Sequence, residues 1–178
     1  GLKKLEPHHS THGNLVYATK YKEVALIFSG KCGDDLTYTL FRNSDDEPWQ
    51  IVERVPGAFS KMFENESSIY TVSDVTFHDI HTGFSEFVSK EGVDIQTEEK
   101  VLNVYGELKK LELQGVVKLY HYPNRPKEIP NHDEDLIEKQ IKQTTKNHRK
   151  VNSKDFRRLL YLHPELLDAV NYKLSSDS

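Results

Sequence analysis

Short apolar runs broken by Gly, Ser, Asp and Asn carry the chain as far as Tyr122, and longer stripes of helical spacing follow. Leu15-Val16-Tyr17-Ala18 is β-branched and aromatic enough for a strand after the turn residues His12-Gly13. From Tyr21 to Ser29 the apolar positions Tyr21, Val24, Ala25 and Phe28 share one face, which predicts a helix stopped by Gly30 and Gly33. Leu36 to Arg42 and Trp49 to Val55 flank the polar turn Asn43 to Pro48, as an antiparallel hairpin requires. Further strands are predicted at Ser68 to Val72, Val75 to His78, Glu86 to Val88 and Val93 to Gln96. Thr97 is a candidate cap for a helix from Glu98 to Leu113, with Val101, Leu102, Tyr105 and Leu108 as its stripe and Gly115 ending it. A strand over Val116 to His121 follows. This order fits antiparallel or mixed sheets with flanking helices, so the fold class is α+β rather than a regular βαβ array.

Beyond Pro123, Pro126 and Pro130 the pattern turns helical. Asn131 with Glu134 resembles a capping arrangement for a helix through Asn147, whose apolar face is Leu136, Ile137 and Ile141. Ser153 caps a second helix carrying Phe156, Leu159 and Leu160, and Pro164 opens a third with Leu166, Leu167 and Val170. The expected organisation is a strand-rich body over residues 1–122 and a helical C-terminal appendage over 123–178 packed on it.

Length and composition narrow the setting. A chain of 178 residues can bury a core without a metal or disulfide. The single cysteine, Cys32, cannot form an intrachain disulfide, and a reducing, cytoplasmic compartment is the natural expectation. Apolar runs such as Val24 to Phe28 are far too short to span a bilayer, so no membrane partner is expected. The net charge of −4 argues against nucleic-acid binding by the whole surface. Lys139, Lys142, Lys146, Arg149, Lys150, Lys154, Arg157 and Arg158 nevertheless make a local basic run. It could neutralise the phosphates of RNA or DNA, or it could be the wet face of amphipathic helices.

Phosphate-binding Gly-rich loops, paired-cysteine zinc signatures and nucleophile elbows are absent. The cluster His8-His9-Ser10-Thr11-His12 lacks a carboxylate or cysteine at set spacing, and a solvated loop explains it better than a metal site. His78-Asp79 with His81 could be an oriented acid–base pair or a surface turn. Tyr17, at the end of a strand, and Phe28, on the following helix, could converge as a pair of rings on a flat heteroaromatic ligand. Core packing accounts for them equally well. Glu86 begins a strand in Phe84-Ser85-Glu86-Phe87-Val88 and could stabilise positive charge in a cleft, or could simply face outward in alternation.

Together, Thr11 to Thr19, Phe28 and Ser85-Glu86-Phe87-Val88 resemble the ADP-ribosyltransferase fold, and most closely a bacterial branch of that superfamily whose members end in helices like those from Asp133 to Leu174. The resemblance covers about residues 1–95. It implies that Tyr17, Thr19 and Phe28 hold NAD, with Tyr17 and Phe28 embracing nicotinamide. It also implies that Glu86 is catalytic, binding a ribose hydroxyl and favouring the oxocarbenium-like state as nicotinamide leaves. NAD would be a substrate, and no metal is implied. Nothing from Gly1 onward provides the histidine beside a glycine that family members use for the adenosine ribose, and Ala25 stands near where they often place a serine. The alternative is an inactive scaffold that binds a protein or nucleic acid through its basic helical C-terminus.

Overall fold

Strand pairing across long sequence separations sets the architecture, an α+β arrangement of antiparallel or mixed sheets and short helices. The computed structural model describes residues 1–10, 12–30, 37–81, 84–130, 132–146, 157, 160–161 and 163–176. In chain order its strands are β1 (Lys4–Leu5), β2 (His8–Ser10), β3 (Gly13–Thr19), β4 (Tyr38–Phe41), β5 (Trp49–Glu53), β6 (Ser67–Val72), β7 (His78–Asp79), β8 (Glu86–Ser89), β9 (Val93–Val101) and β10 (Val117–Tyr120). Its helices include α1 (Lys22–Phe28), α2 (Ala58–Phe63), α3 (Val104–Leu113), α4 (Glu134–Lys146) and α5 (Leu167–Ser176), the last preceded by a 3₁₀ turn at Pro164–Leu166.

Two compact units are present, each discontinuous in sequence. One comprises Gly1–Gly33, Phe41–Gln50 and Phe59–Lys118; the other comprises Asp34–Leu40, Ile51–Ala58 and Leu119–Ser178. The sequence pattern suggests one cut at 122/123, whereas the second unit also takes in two earlier segments.

The first unit contains a sheet of order β1-β9-β6 and another of order β2-β3-β8-β7. Its core includes Val24, Leu26 and Ile27 of α1, Val104 and Leu108 of α3, and the rings of Phe59 and Phe63. Each such side chain contributes about 1.5–3 kcal/mol through removal from water. Gly30 follows α1 where a Cβ would stand 2.8 Å from the Phe63 ring, so this close approach requires glycine. The buried face of α1 thus differs from the expected stripe, since Phe28 is 46% exposed.

The largest departure concerns residues 97–101. They continue β9 instead of opening a helix, pairing with β6 in the register Ser67↔Val101, Ile69↔Glu99 and Thr71↔Thr97. Strand pairing overrides the helix preference of Glu98, Glu99 and Lys100. Helix α3 starts at Val104 instead of Glu98, six residues later, where the side chain of Asn103, not Thr97, accepts from the Gly106 N–H at 2.8 Å. Leu102 is accordingly outside the helix and 79% exposed. The expected strand at Val75 to His78 shrinks to β7, because Val75 and Thr76 form a turn closed by the Phe77 N–H on the Asp74 carbonyl. Helix α2 has no counterpart in the pattern reading.

In the second unit, Leu136, Ile137 and Ile141 of α4 bury together with Val170 of α5, and Leu160 and Leu166 pack against them. Arg54 is 1% exposed and held by Asp133, Asp135 and Thr39. A third sheet has the order β10-β5-β4, making the strands of the expected hairpin neighbours. Asn131, Asn147, Ser153, Phe156 and Leu159, named above for the C-terminal helices, lie outside the described residues. Among the described residues no helix is long and apolar enough to cross a membrane.

Candidate functional site

The junction of β3 and α1 organises the candidate site. Strand β3 pairs with β8 so that Tyr17 lies opposite Val88, Ala18 opposite Phe87 and Thr19 opposite Glu86. Because side chains alternate across a sheet, Tyr17, Thr19 and Glu86 leave one face and Ala18 and Phe87 the other. Thr19 Oγ1 accepts from the Tyr21 N–H at 3.2 Å, which fixes the bend between strand and helix. Helix α1 then presents Ala25, Phe28 and Ser29, at spacings of three and four residues, along one side.

Apart from Val88, these residues line one cavity of about 950 Å³ within the first unit. Tyr17 and Phe28 are 36% and 46% exposed, so their rings are not consumed by core packing. The Tyr17 hydroxyl lies 2.8 Å from Ser10 Oγ and 3.1 Å from His12 Nδ1, which fixes the ring from the β2–β3 turn. Phe28 meets Phe84 edge-on at 5.8 Å, and Phe84 stacks on Trp49 at 6.2 Å. The Arg42 guanidinium lies over both Trp49 and Tyr21, 4.6 and 4.7 Å from their ring centres. That ring cluster supports Phe28 from behind.

Glu86 follows Ser85, whose φ of +52° is a left-handed conformation unusual for a residue with a Cβ. Backbone strain of this kind costs about 1–3 kcal/mol and concentrates at functional sites. Here it turns the chain into β8 at the position of Glu86. The opposite wall is β6, whose consecutive residues Ser68 to Val72 all line the cavity. A strand whose neighbouring residues all line a space presents its edge to it, and β6 is the outer strand of its sheet.

Four charged side chains besides Glu86 line the same space: Lys20, Lys22, Asp74 and Glu99. Lys22 Nζ is 2.7 Å from Glu99 Oε1. Lys20 Nζ instead lies 4.6 Å from the centre of the Phe87 ring. On β9, the hydrogen bond from Lys100 and that from Ser68 hold the Glu98 carboxyl below its ordinary range, against the opposing effect of desolvation.

The structure therefore brings Tyr17, Thr19, Phe28 and Glu86 to one cavity. Lys20 and Ser29 line it too and carry no sequence signal, being ordinary residues at a bend and a helix end. Ser29 stands one turn beyond Ala25, and its hydroxyl donates to the Leu26 carbonyl at 2.7 Å.

Other candidates resolve differently. His8 and His9 belong to β2, not to a loop, and His12 orients Tyr17. Among the described residues no three His, Cys, Asp or Glu side chains gather as a metal site. Asp79 accepts from the His81 N–H at 2.6 Å, a local turn in which His81 is largely exposed. Of the basic run, Arg149, Lys150, Lys154 and Arg158 lie outside the described residues.

No family model matches the chain, and neither a curated protein nor a solved structure matches it.

Proposed function

We infer that this protein is an ADP-ribosyltransferase-like enzyme that binds NAD or a related nucleotide between Tyr17, Phe28 and Glu86. The observation that carries this reading is the meeting of two exposed rings and a strand-initiating carboxylate in one cavity, with Thr19 directly opposite Glu86. The sequence resemblance to the ADP-ribosyltransferase fold and the antiparallel sheets support it further. Aromatic pairs contribute about 0.5–1.5 kcal/mol beyond area burial, so rings on two elements suit a nicotinamide held flat. The single cysteine accords with action in the cytoplasm.

In this mechanism Glu86 accepts a hydrogen bond from a ribose hydroxyl and places negative charge beside C1′. The C1′–N bond breaks with its electron pair leaving on nicotinamide, and the oxocarbenium-like centre is stabilised electrostatically. An acceptor nucleophile then forms the new bond at C1′ and loses its proton. Tyr17, positioned by Ser10 and His12, orients the leaving ring.

Calorimetry with NAD tests the reading. The wild-type protein should bind, Tyr17→Ala should lose binding by about tenfold or more, and Glu86→Gln should bind NAD yet release no nicotinamide. Absence of heat with the wild-type protein, or unchanged affinity in Tyr17→Ala, overturns it.

A further inference from the structure

Lys20 occupies an unusual electrostatic position in the cavity. Of the two lysines lining it, Lys22 is matched by Glu99 at 2.7 Å. Lys20 rests its ammonium over the electron-rich face of Phe87, 4.6 Å from the ring centre, a cation–π contact with an uncharged partner that does not cancel its charge as a carboxylate would. The carboxylates Asp74, Glu86 and Glu99 line the same space and repel an anion from their own portions of it. Alternation along β3 and β8 puts Phe87, and with it the Lys20 ammonium, on the face opposite Tyr17 and Glu86. The two ends of a ligand lying around the end of β3 thus meet different chemistry, with rings and a carboxylate on one side and a cation on the other. Thr19 fixes the backbone at this bend through its bond to the Tyr21 N–H, so Lys20 projects from a defined point.

We propose that Lys20 binds the diphosphate of the ligand, which makes the cavity selective for dinucleotides and nucleoside diphosphates over nucleosides. The proposal rests on the nucleotide reading of the cavity and adds the group that recognises the anionic part of the molecule. The four-carbon stem lets the ammonium leave the Phe87 face and donate to phosphate oxygens.

The test compares NAD with nicotinamide riboside, which keeps the ring and ribose but has no phosphate. Wild type, Lys20→Gln, Lys20→Arg and Tyr17→Ala are titrated with each ligand by calorimetry at low and moderate salt, with thermal melts to verify folding. Lys20→Gln should weaken NAD about tenfold, as loss of a charge-assisted hydrogen bond does, while leaving nicotinamide riboside unchanged. Lys20→Arg should restore most of the NAD affinity, and the loss in Lys20→Gln should shrink as salt rises. Equal weakening of both ligands, or NAD binding that persists in Lys20→Gln but disappears in Tyr17→Ala, overturns the role of Lys20 and leaves the cavity reading standing. A wild-type protein that binds neither ligand overturns both.

Discussion

The guanidinium of Arg54 shows how a single side chain can organise its surroundings. Its Nε and terminal nitrogens reach Asp133 at 3.2 and 2.7 Å, Asp135 at 3.2 and 2.8 Å, and Thr39 at 3.0 Å. Burial by itself would lower the Arg54 pKa, but the hydrogen bonds and charges of the two carboxylates outweigh it and raise the pKa. Arg54→Ala would strand Asp133, which is 8% exposed, although Arg125 still reaches it at 2.9 Å. The expected loss is about 3–5 kcal/mol, readable as a fall in the urea midpoint; a loss below about 1 kcal/mol would mean that the network carries little stability. None of this was legible in the sequence, because the carboxylates lie 79 and 81 positions away. Tyr17, Phe28 and Glu86 were legible as candidates because each sits at the edge of a short local pattern. Lys20 was not, since its role depends on Phe87 across a strand pair.

At the level of elements, legibility follows the range of the interactions. Strand β3 and helix α1 both lie close to their expected bounds, although α1 buries Val24, Leu26 and Ile27 in place of the expected stripe. The stretch from Thr97 to Val101 reads as helix because its charged residues favour one, yet β6 recruits it as a strand across about thirty positions. Asn103 was hidden by the same misreading, although it has the ordinary chemistry of a helix cap. Asn103→Ala should cost about 1 kcal/mol, whereas Asn103→Asp should be nearly neutral. Thermal unfolding followed by circular dichroism distinguishes them, and equal loss in both would assign the effect to something other than capping. Gly115, with φ at +74°, closes the same helix in a conformation that side chains disfavour, and here the sequence expectation and the structure agree.

For the molecule as a whole, the α+β class is legible in the order of patterns, whereas the two discontinuous units are not, because they depend on which distant segments meet. The same dependence gives the protein a characteristic response to acid. Burial raises the pKa of the Asp133 carboxyl, but hydrogen bonds from Arg125 and Arg54, with their charges, hold it below its ordinary value of 3.8. A carboxylate held low in the folded state contributes fully above its unfolded pKa and loses that contribution as pH falls through the folded value. The stability advantage of wild type over Asp133→Asn should therefore shrink below about pH 4, as the carboxylate faced by Arg54, Arg125 and, 3.3 Å from its other oxygen, His163 Nδ1 is protonated. Urea midpoints measured across that range provide the check; a gap that stays constant into strong acid would rule out this linkage.

Trp49 is the chain's single tryptophan, and it is 1% exposed. Its contact with Phe84, which in turn touches Phe28, connects the only indole chromophore to a ring that lines the cavity. Excitation at the red edge of protein absorbance thus addresses one defined point in the molecule, one phenyl ring away from the cavity. A ligand packing against Phe28 is therefore expected to change the emission of this one indole, with no dye or label to disturb the rings.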